Sequence, residues 1–336
     1  MPRTITATAP CRVDLAGGTL DIWPLYLFHP GAVTVNFAVN IQTRCTVRSL
    51  RGRQVLLRSV DTGREEGFRD LDALRRARRY RHPLAARLLH VFTPRGGLLV
   101  ETCSESPAGA GISGSSALMI AAAAALARFC RLRLSKEQLR VLSQNVEAQV
   151  IGVPTGCQDY YPALFGGISA IHLGVDGVHH EALAVPAQEL DARFLLAYTG
   201  VPRRSGINNW EVFKAHLNGD QRVASNFEEI ARLARVLRAA LVARDWDAAA
   251  RALRGEWKLR RSNAPGIATP LIDRLVAAAI KSGARAAKVC GAGGGGCVVF
   301  LVAPGLRQRV SRVLAASGAQ ILSTSVARRG LRVTEH

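Results

Sequence analysis

The stretch from Glu105 to Arg128, ESPAGAGISGSSALMIAAAAALAR, constrains this chain more than any other. Its first half sets glycines at 109, 111 and 114 among Ser113, Ser115 and Ser116. Its second half, from Ala117 to Ala127, is rich in alanine, the strongest helix former. The pattern predicts a loop feeding a helix. Glycine lets backbone approach a ligand closely, and the unpaired N–H groups of a first helical turn, with the helix dipole, favour an anion there. Two readings are open at this point: a cradle for nucleotide phosphates, or a serine-capped core helix behind a flexible loop.

The upstream segment GLLVETCS, residues 97 to 104, reads as a strand running straight into the loop. Strand, glycine loop and helix in that order favour the phosphate reading. No Gly-Lys-Ser/Thr follows, so the loop is not a Walker A. Positive charge for the phosphates must come from a metal, the backbone or a residue elsewhere.

Read from the start, TITATAPCRVDL at 4 to 15 alternates like a strand and is turned by AGG at 16 to 18, with Arg12, Asp14 and Asp21 flanking the turn. Carboxylates accept hydrogen bonds from hydroxyls and arginine binds oxyanions, so this turn suits a polyol site; a solvated turn with a surface ion pair is the alternative. AVTVNFAVNIQTRCTVRSL and RQVLLRSVD read as successive strands, and Leu71 to Phe92 as helical. A second helix opens at Ser135, with Gln138 three residues on in capping-box spacing, and carries Glu147 near its end. A glutamate there is ordinarily solvated. Asp159 differs, because it lies in the Gly/Pro-punctuated GVPTGCQDYYPALFGG, where partial burial suits a carboxylate for proton transfer.

ISAIHL predicts a strand, and the turn signals between Gly174 and Gln188 place a domain boundary at about 182. ARFLLAYTG then reads as a buried strand ending in VPRRSG, whose Arg203 and Arg204 are placed to face a cleft. Residues 208 to 262 are helical, their arginines expected on a solvated face. The region 268 to 302 reads as helix, turn, short strand, glycine loop and strand, with Gly291 and Gly293 to Gly296 leaving bare backbone that is expected to lie against the first loop or its ligand.

Composition excludes little and favours one class. A length of 336 residues and 48% hydrophobic residues indicate a folded protein of one large domain or two. The apolar run 117 to 127 is too short to cross a bilayer, and the basic-then-apolar layout of a signal peptide is missing, so no membrane and a cytoplasmic location are expected. Seven cysteines without a C-x-x-C pair favour free thiols. The net charge of +20 invites a nucleic-acid reading, but the arginines are scattered, aromatics are 6%, and no nucleic-acid motif is present; no dedicated nucleic-acid partner is expected.

Together, RVDLAGGTLD at 12 to 21, PAGAGISGSSA at 107 to 117 and KVCGAGGGGCVVF at 288 to 300 resemble, in order, the three motifs of the GHMP kinase superfamily. EAQVIGVPTGCQDYYPALFGG, YTGVPRRSG and the stretch from Trp257 onward are most similar to the branch of heptose 7-phosphate kinases and fucokinases. The resemblance implies an α+β fold of two domains, 1–182 and 183–336, the second ferredoxin-like, with the active site between them. It implies ATP and Mg²⁺ as cofactors, a small-molecule sugar or sugar phosphate as partner, and a monomer or homodimer.

By matching position, Asp159 and Arg12 would be catalytic, and Ser115 and Glu147 would hold Mg²⁺. Pro107, Gly109, Gly111, Ser113, Gly114, Ser115 and Ser116 would line the nucleotide. Asp21, Gly17, Gly18, Gly156, Arg203, Gly293 and Gly294 would contact the substrate, with Arg203 and Arg204 as candidates for a substrate phosphate. The order Gly-Gly-Thr-Leu-Asp departs from the family's first motif, and the unusual Trp23 and LYLFHPG suggest a reshaped sugar pocket. The implied reaction is phosphoryl transfer to a sugar hydroxyl, the anomeric one being expected. A kinase for a non-sugar alcohol such as mevalonate or threonine, and a catalytically silent sugar-binding regulator, are the alternatives.

Overall fold

The computed structural model describes residues 3–203 and 207–336, without the side chains of 207 and 208. In chain order it forms β1 (Thr4–Ala16), β2 (Ala32–Leu50), β3 (Val55–Ser59), β4 (Arg64–Phe68), α1 (Leu71–Arg76), α2 (Pro83–Val91), β5 (Gly97–Ser104), α3 (Gly114–Phe129), α4 (Lys136–Ile151), α5 (Tyr160–Phe165), β6 (Ile168–Gly174) and β7 (Gly177–Ala182). There follow α6 (Ala187–Arg193), β8 (Phe194–Tyr198), α7 (Ile207–Leu217), α8 (Gln221–Ala243), α9 (Trp246–Ser262), α10 (Pro270–Lys281), β9 (Ala284–Val289), β10 (Cys297–Val302), α11 (Arg307–Ala316), β11 (Gln320–Leu322) and β12 (Arg332–Glu335).

Two sheets result. The first runs β12-β1-β2-β5-β3-β4, with β6 joining β2 and β7 completing the edge hairpin; the second runs β11-β8-β10-β9. In the second, strand, helices, two strands, helix and strand follow one another, which is the expected ferredoxin-like succession. The last strand crosses back, so that β12 pairs with β1 in the first sheet.

From Ala9 onward β1 is buried on both faces, and its two faces differ in chemistry. Ile5, Ala7, Ala9, Cys11, Val13 and Leu15 alternate into the main core, while Arg12 and Asp14 point the other way and are also buried. Shifts in its register with β2 at Pro10/Cys11 and Asp14/Ala16 mark bulges, which re-aim side chains at the strand's end.

α3 is buried along nearly its whole length from Ser116 to Phe129, lying against β1, β2 and α4. A helix apolar all round belongs inside a protein, and alanine keeps it slim enough to sit close to the sheet. α4 begins with the expected capping box: the Ser135 N–H donates to Gln138 Oε1 (2.8 Å), and the Gln138 N–H to Ser135 Oγ (3.1 Å). Ser135→Ala is expected to cost about 1 kcal/mol of stability, read as a lower midpoint at unchanged slope in urea unfolding.

The helical pattern of 71 to 92 is broken in two. Ala77 is extended, and Pro83 disfavours helix at the residue before it and opens α2. Among the described residues no helix is long and apolar enough to cross a membrane.

Candidate active site

A cleft of about 430 Å³ is floored by the end of β1 and rimmed by the loop into α3, the end of α4, the segment before α5 and the loop after β9. Of the residues singled out in the sequence, Arg12, Asp14, Gly18, Asp21, Pro107, Gly109, Gly111, Ser113, Gly114, Ser115, Ser116, Glu147, Gly156, Asp159, Arg203 and Gly291 line it. The three motifs therefore converge from distant parts of the chain.

At the centre Arg12 grips Asp159. Its Nε and Nη2 donate to Asp159 Oδ1 at 3.0 and 2.6 Å, and Nη1 donates to the Gly111 carbonyl at 2.8 Å. The arginine is 2% exposed and the aspartate 23%. Burial alone works against the guanidinium's charge, yet Asp159 and Asp14 outweigh it and raise its pKa. With Oδ1 engaged by the arginine, Oδ2 is the oxygen left to meet a ligand.

The loop's second half supplies an anion-facing helix end. Ser113, in the left-handed region at φ 57°, starts α3 without a side-chain cap, and its buried hydroxyl has no hydrogen-bond partner among the described residues. Beside it the Ser115 hydroxyl donates to Glu147 Oε1 (2.6 Å), and the Tyr160 hydroxyl donates to Oε2 (2.7 Å). Glu147, expected at a solvated helix end, is 4% exposed. Burial raises its pKa, opposed by the hydroxyls of Ser115 and Tyr160. An uncapped helix start with a nearby hard-oxygen pair fits a triphosphate and Mg²⁺ in donor chemistry.

The opposite wall is made of acceptors. Asp21, 3% exposed, accepts the Gln158 N–H at Oδ2 (2.8 Å), and burial followed by the Asp159 charge pushes its pKa up to about 7. Asp14 Oδ1 and Gln158 Oε1 are buried without partners among the described residues. Space here depends on two missing side chains: a Cβ at Gly18 would stand 2.7 Å from Gln158 Nε2, and one at Gly156 2.0 Å from Asp21 Oδ2.

Behind this wall lies a buried ionic chain that joins the two sheets. Lys288 Nζ on β9 meets Asp14 Oδ2 at 2.6 Å and Glu256 Oε1 at 3.7 Å, all three side chains being fully buried. Arg260 pairs with Glu256 (2.6 Å) and donates to the Gly18 carbonyl (2.7 Å) and Thr19 Oγ1 (3.2 Å). Burial opposes ionisation of Asp14, but Lys288, Arg260 and Arg12 outweigh it and hold its pKa below the usual carboxylate value. The sequence reading missed Lys288, Glu256, Gln158 and Asn209, the last a cleft residue that accepts from Thr19 Oγ1 at Oδ1 (3.0 Å), and assigned Arg260 to a solvated face; Arg260 is 5% exposed because the glutamate one turn earlier and the turn after β1 enclose it. A usable signal existed in the i, i+4 pair Glu256/Arg260 straddling the apolar Trp257.

Other expected residues lie away from the cleft wall. Gly17, Gly293 and Gly294 are not among the cleft's lining residues. Gly17 has positive φ and backs onto the Val33 carbonyl, and Gly293 backs onto Ile267, so these glycines serve close backbone packing. Gly294 likewise donates its N–H to the Ile267 carbonyl. Trp23 does not line the cleft; it is 66% exposed, while Leu25 is buried in the second core, so this segment does not reshape the pocket directly. The third motif does lie against the second, with Cys297 N–H donating to the Ala110 carbonyl at 2.7 Å. Arg204 lies outside the described residues.

Comparison with known proteins agrees with the architecture. Residues 76–167 match the GHMP kinases N terminal domain, and residues 237–320 match the GHMP kinases C terminal domain. A D-glycero-alpha-D-manno-heptose 7-phosphate kinase of Campylobacter jejuni is 25% identical over 98% of both chains. A mevalonate kinase of Pyrococcus horikoshii is 28% identical over 72% of this chain and 70% of its own. In fold, a D-glycero-D-manno-heptose 1-phosphate kinase from Bacteriodes thetaiotaomicron superposes with a TM-score of 0.78 at 20% identity, covering 98% of each chain. With both family domains matched in order and the fold shared from end to end, the chain belongs to the GHMP kinases, a family of ATP-using enzymes.

Proposed function

We propose that this chain transfers the γ-phosphoryl group of ATP, with Mg²⁺, to a hydroxyl of a sugar or sugar phosphate, in the manner of a heptose 7-phosphate kinase and at the anomeric hydroxyl. The observation that carries this reading is the position of Asp159, held by Arg12 between an uncapped helix start and a wall of hydrogen-bond acceptors. The C. jejuni relative supports the substrate class over nearly the full chain.

The acceptor wall is also the argument against the rival alcohols. Asp14 Oδ1, Gln158 Oε1 and the Asp21 carboxyl need donors, which a polyol supplies in number. Mevalonate and threonine each bring fewer hydroxyl donors to these acceptors than a sugar does. A silent regulator is disfavoured because Ser115, Glu147, Asp159 and Arg12 are all present in hydrogen-bonded pairs at the cleft.

In the step proposed, the acceptor oxygen attacks the γ-phosphorus, the bond to the bridging oxygen of ADP breaks, and the hydroxyl proton passes to Asp159 Oδ2. Mg²⁺, held by Ser115 and Glu147, would neutralise charge across the phosphate oxygens. Arg12 keeps Asp159 oriented and presents positive charge to the transferring group. The N–H groups at the start of α3 cradle the phosphates, and Asp21 and Asp14 fix the sugar. Residues 1–182 and 183–336 serve as the two domains, with β12 returned to the first. With seven free cysteines, a cytoplasmic location suits the chain.

Activity against a panel of sugars and sugar 6- or 7-phosphates, with ATP consumption followed and product position read by phosphorus NMR, tests the reading. Turnover confined to mevalonate or threonine would overturn it. Asp21 adds a pH signature. Its carboxyl is protonated below about 4 in folded and unfolded chains alike; from its usual 3.8 to about 7 the unfolded chain releases a proton that the free folded protein keeps, so that protein loses stability over this interval. The ionised form accepts from hydroxyls at both oxygens and more strongly than the acid does. The acceptor KM is therefore expected to climb as pH falls below 7, and to be high and pH-flat in Asp21→Asn; a flat wild-type profile counts against the assignment.

A further inference from the structure

Arg203 is unlike the other arginines of the cleft. Its backbone N–H donates to the Gly109 carbonyl (3.2 Å), which pins it where the second and third motifs meet. The side chain then lies across two glycines. A Cβ at Gly111 would stand 2.7 Å from its Nε, and a Cβ at Gly291 2.8 Å from its Nη2, so both must lack a side chain for the guanidinium to fit.

Within that slot the Nε is buried and has no hydrogen-bond partner among the described residues. Arg12 has Asp159 and the Gly111 carbonyl, and Arg260 has Glu256 and the Gly18 carbonyl. Burial and the charge of Arg12 both work against the protonated form of Arg203, and Asp159 offsets them only in part, so its pKa is lowered. A guanidinium held beside a second guanidinium, inside a cleft, is costly unless an anion joins it. Asp159, the nearest carboxylate it senses, is already taken by Arg12.

We propose that Arg203 is a second catalytic arginine, which donates to the transferring phosphoryl group of the nucleotide together with Arg12. The proposal rests on the phosphoryl-transfer reading above. It assigns the anion to the nucleotide because the groups around Arg203 are the phosphate loop at Gly109 and Gly111 and the third-motif loop at Gly291. None of Asp14, Asp21 or Gln158, which form the acceptor wall, contacts it among the described hydrogen bonds. As the acceptor oxygen bonds to phosphorus and the bridging oxygen departs with its electron pair, negative charge collects on oxygens within reach of both arginines, while the proton goes to Asp159. Two fixed donors then stabilise charge that the ground state lacks.

The test compares wild type with Arg203→Gln and Arg203→Lys as full chains. Arg203→Gln is expected to lower kcat roughly 10²- to 10³-fold, with acceptor KM changed less than about threefold for free and phosphorylated sugars alike; Arg203→Lys should restore part of kcat. Because an uncompensated charge is removed, the Tm of the ligand-free Gln variant should equal or exceed that of wild type. A rise in KM for phosphorylated sugars alone, at unchanged kcat, would make Arg203 a clamp for the acceptor's own phosphate and overturn the proposal. So would an unchanged kcat, or a fall in Tm that tracks the loss of activity. Calorimetry with ATP and ADP separates this proposal from the function beneath it: wild type should prefer ATP, and Arg203→Gln should lose that preference. Wild type without turnover on any acceptor sinks the kinase reading, whereas an ATP preference undiminished in the variant sinks the role of Arg203.

Discussion

Asp159→Asn is expected to lower kcat by roughly 10³-fold while ATP affinity stays within about threefold of wild type. The amide keeps an oxygen where Oδ1 now accepts two bonds from Arg12, and Arg12 retains its bond to the Gly111 carbonyl, so the site's shape should survive. What disappears is a group able to take the acceptor's proton. Rapid-quench measurement of one turnover separates this loss from slow product release. Full activity in the variant would remove Asp159 from the mechanism, and a parallel loss of ATP binding would make its role structural.

Lys288→Met should have the largest effect on stability. It strips the cation from a buried pair in which both side chains are fully enclosed, leaving the Asp14 carboxylate without the group that meets its Oδ2. Breaking a buried pair on one side costs about 3–5 kcal/mol, whereas replacing both members by uncharged groups of similar size is often close to neutral. Urea unfolding of Lys288→Met against Asp14→Asn/Lys288→Met should therefore show the double variant as the more stable of the two. A single-variant cost below about 1 kcal/mol, the range of exposed pairs, would mean that water reaches the lysine.

The two features differ in how well the sequence displayed them. Glycine motifs are legible because a backbone that must approach a ligand or another loop tolerates no Cβ, as Gly18 and Gly156 illustrate. The alanine-rich helix posed a choice between core packing and a ligand-facing end. In the structure these are compatible: the length of α3 is core, and its first residues open onto the cleft. The break at Ala77 to Pro83 was visible in the proline but was overridden by the apolar spacing on either side.

The charged interior was far less legible. Glu147, Glu256, Arg260 and Lys288 sit at spacings that a solvated helix face or strand edge would show equally well. For Lys288 and Glu147 burial is decided by partners outside their own elements, such as Asp14 for Lys288, and no local pattern encodes such a pairing; Glu256 and Arg260 offered only their i, i+4 spacing. Asp14 itself offered a hint, since it alternates with Arg12 on one face of β1 opposite a wholly apolar one. A strand with charge on one side and core on the other has either an exposed face or a functional one, and only the second sheet's position shows which.

The pairing of Asp14 with Lys288 has a mechanical consequence. If the cleft breathes to admit a nucleotide and a sugar, the cheapest rotation is one that leaves a costly buried pair intact, which makes the end of β1 the axle of the movement. Points near an axle travel least. Arg12, on the same face of the same strand, would hold its place against Asp159 while the outer rims swing, and the reacting groups would stay aligned through each opening at no cost beyond the pair that already joins the two sheets.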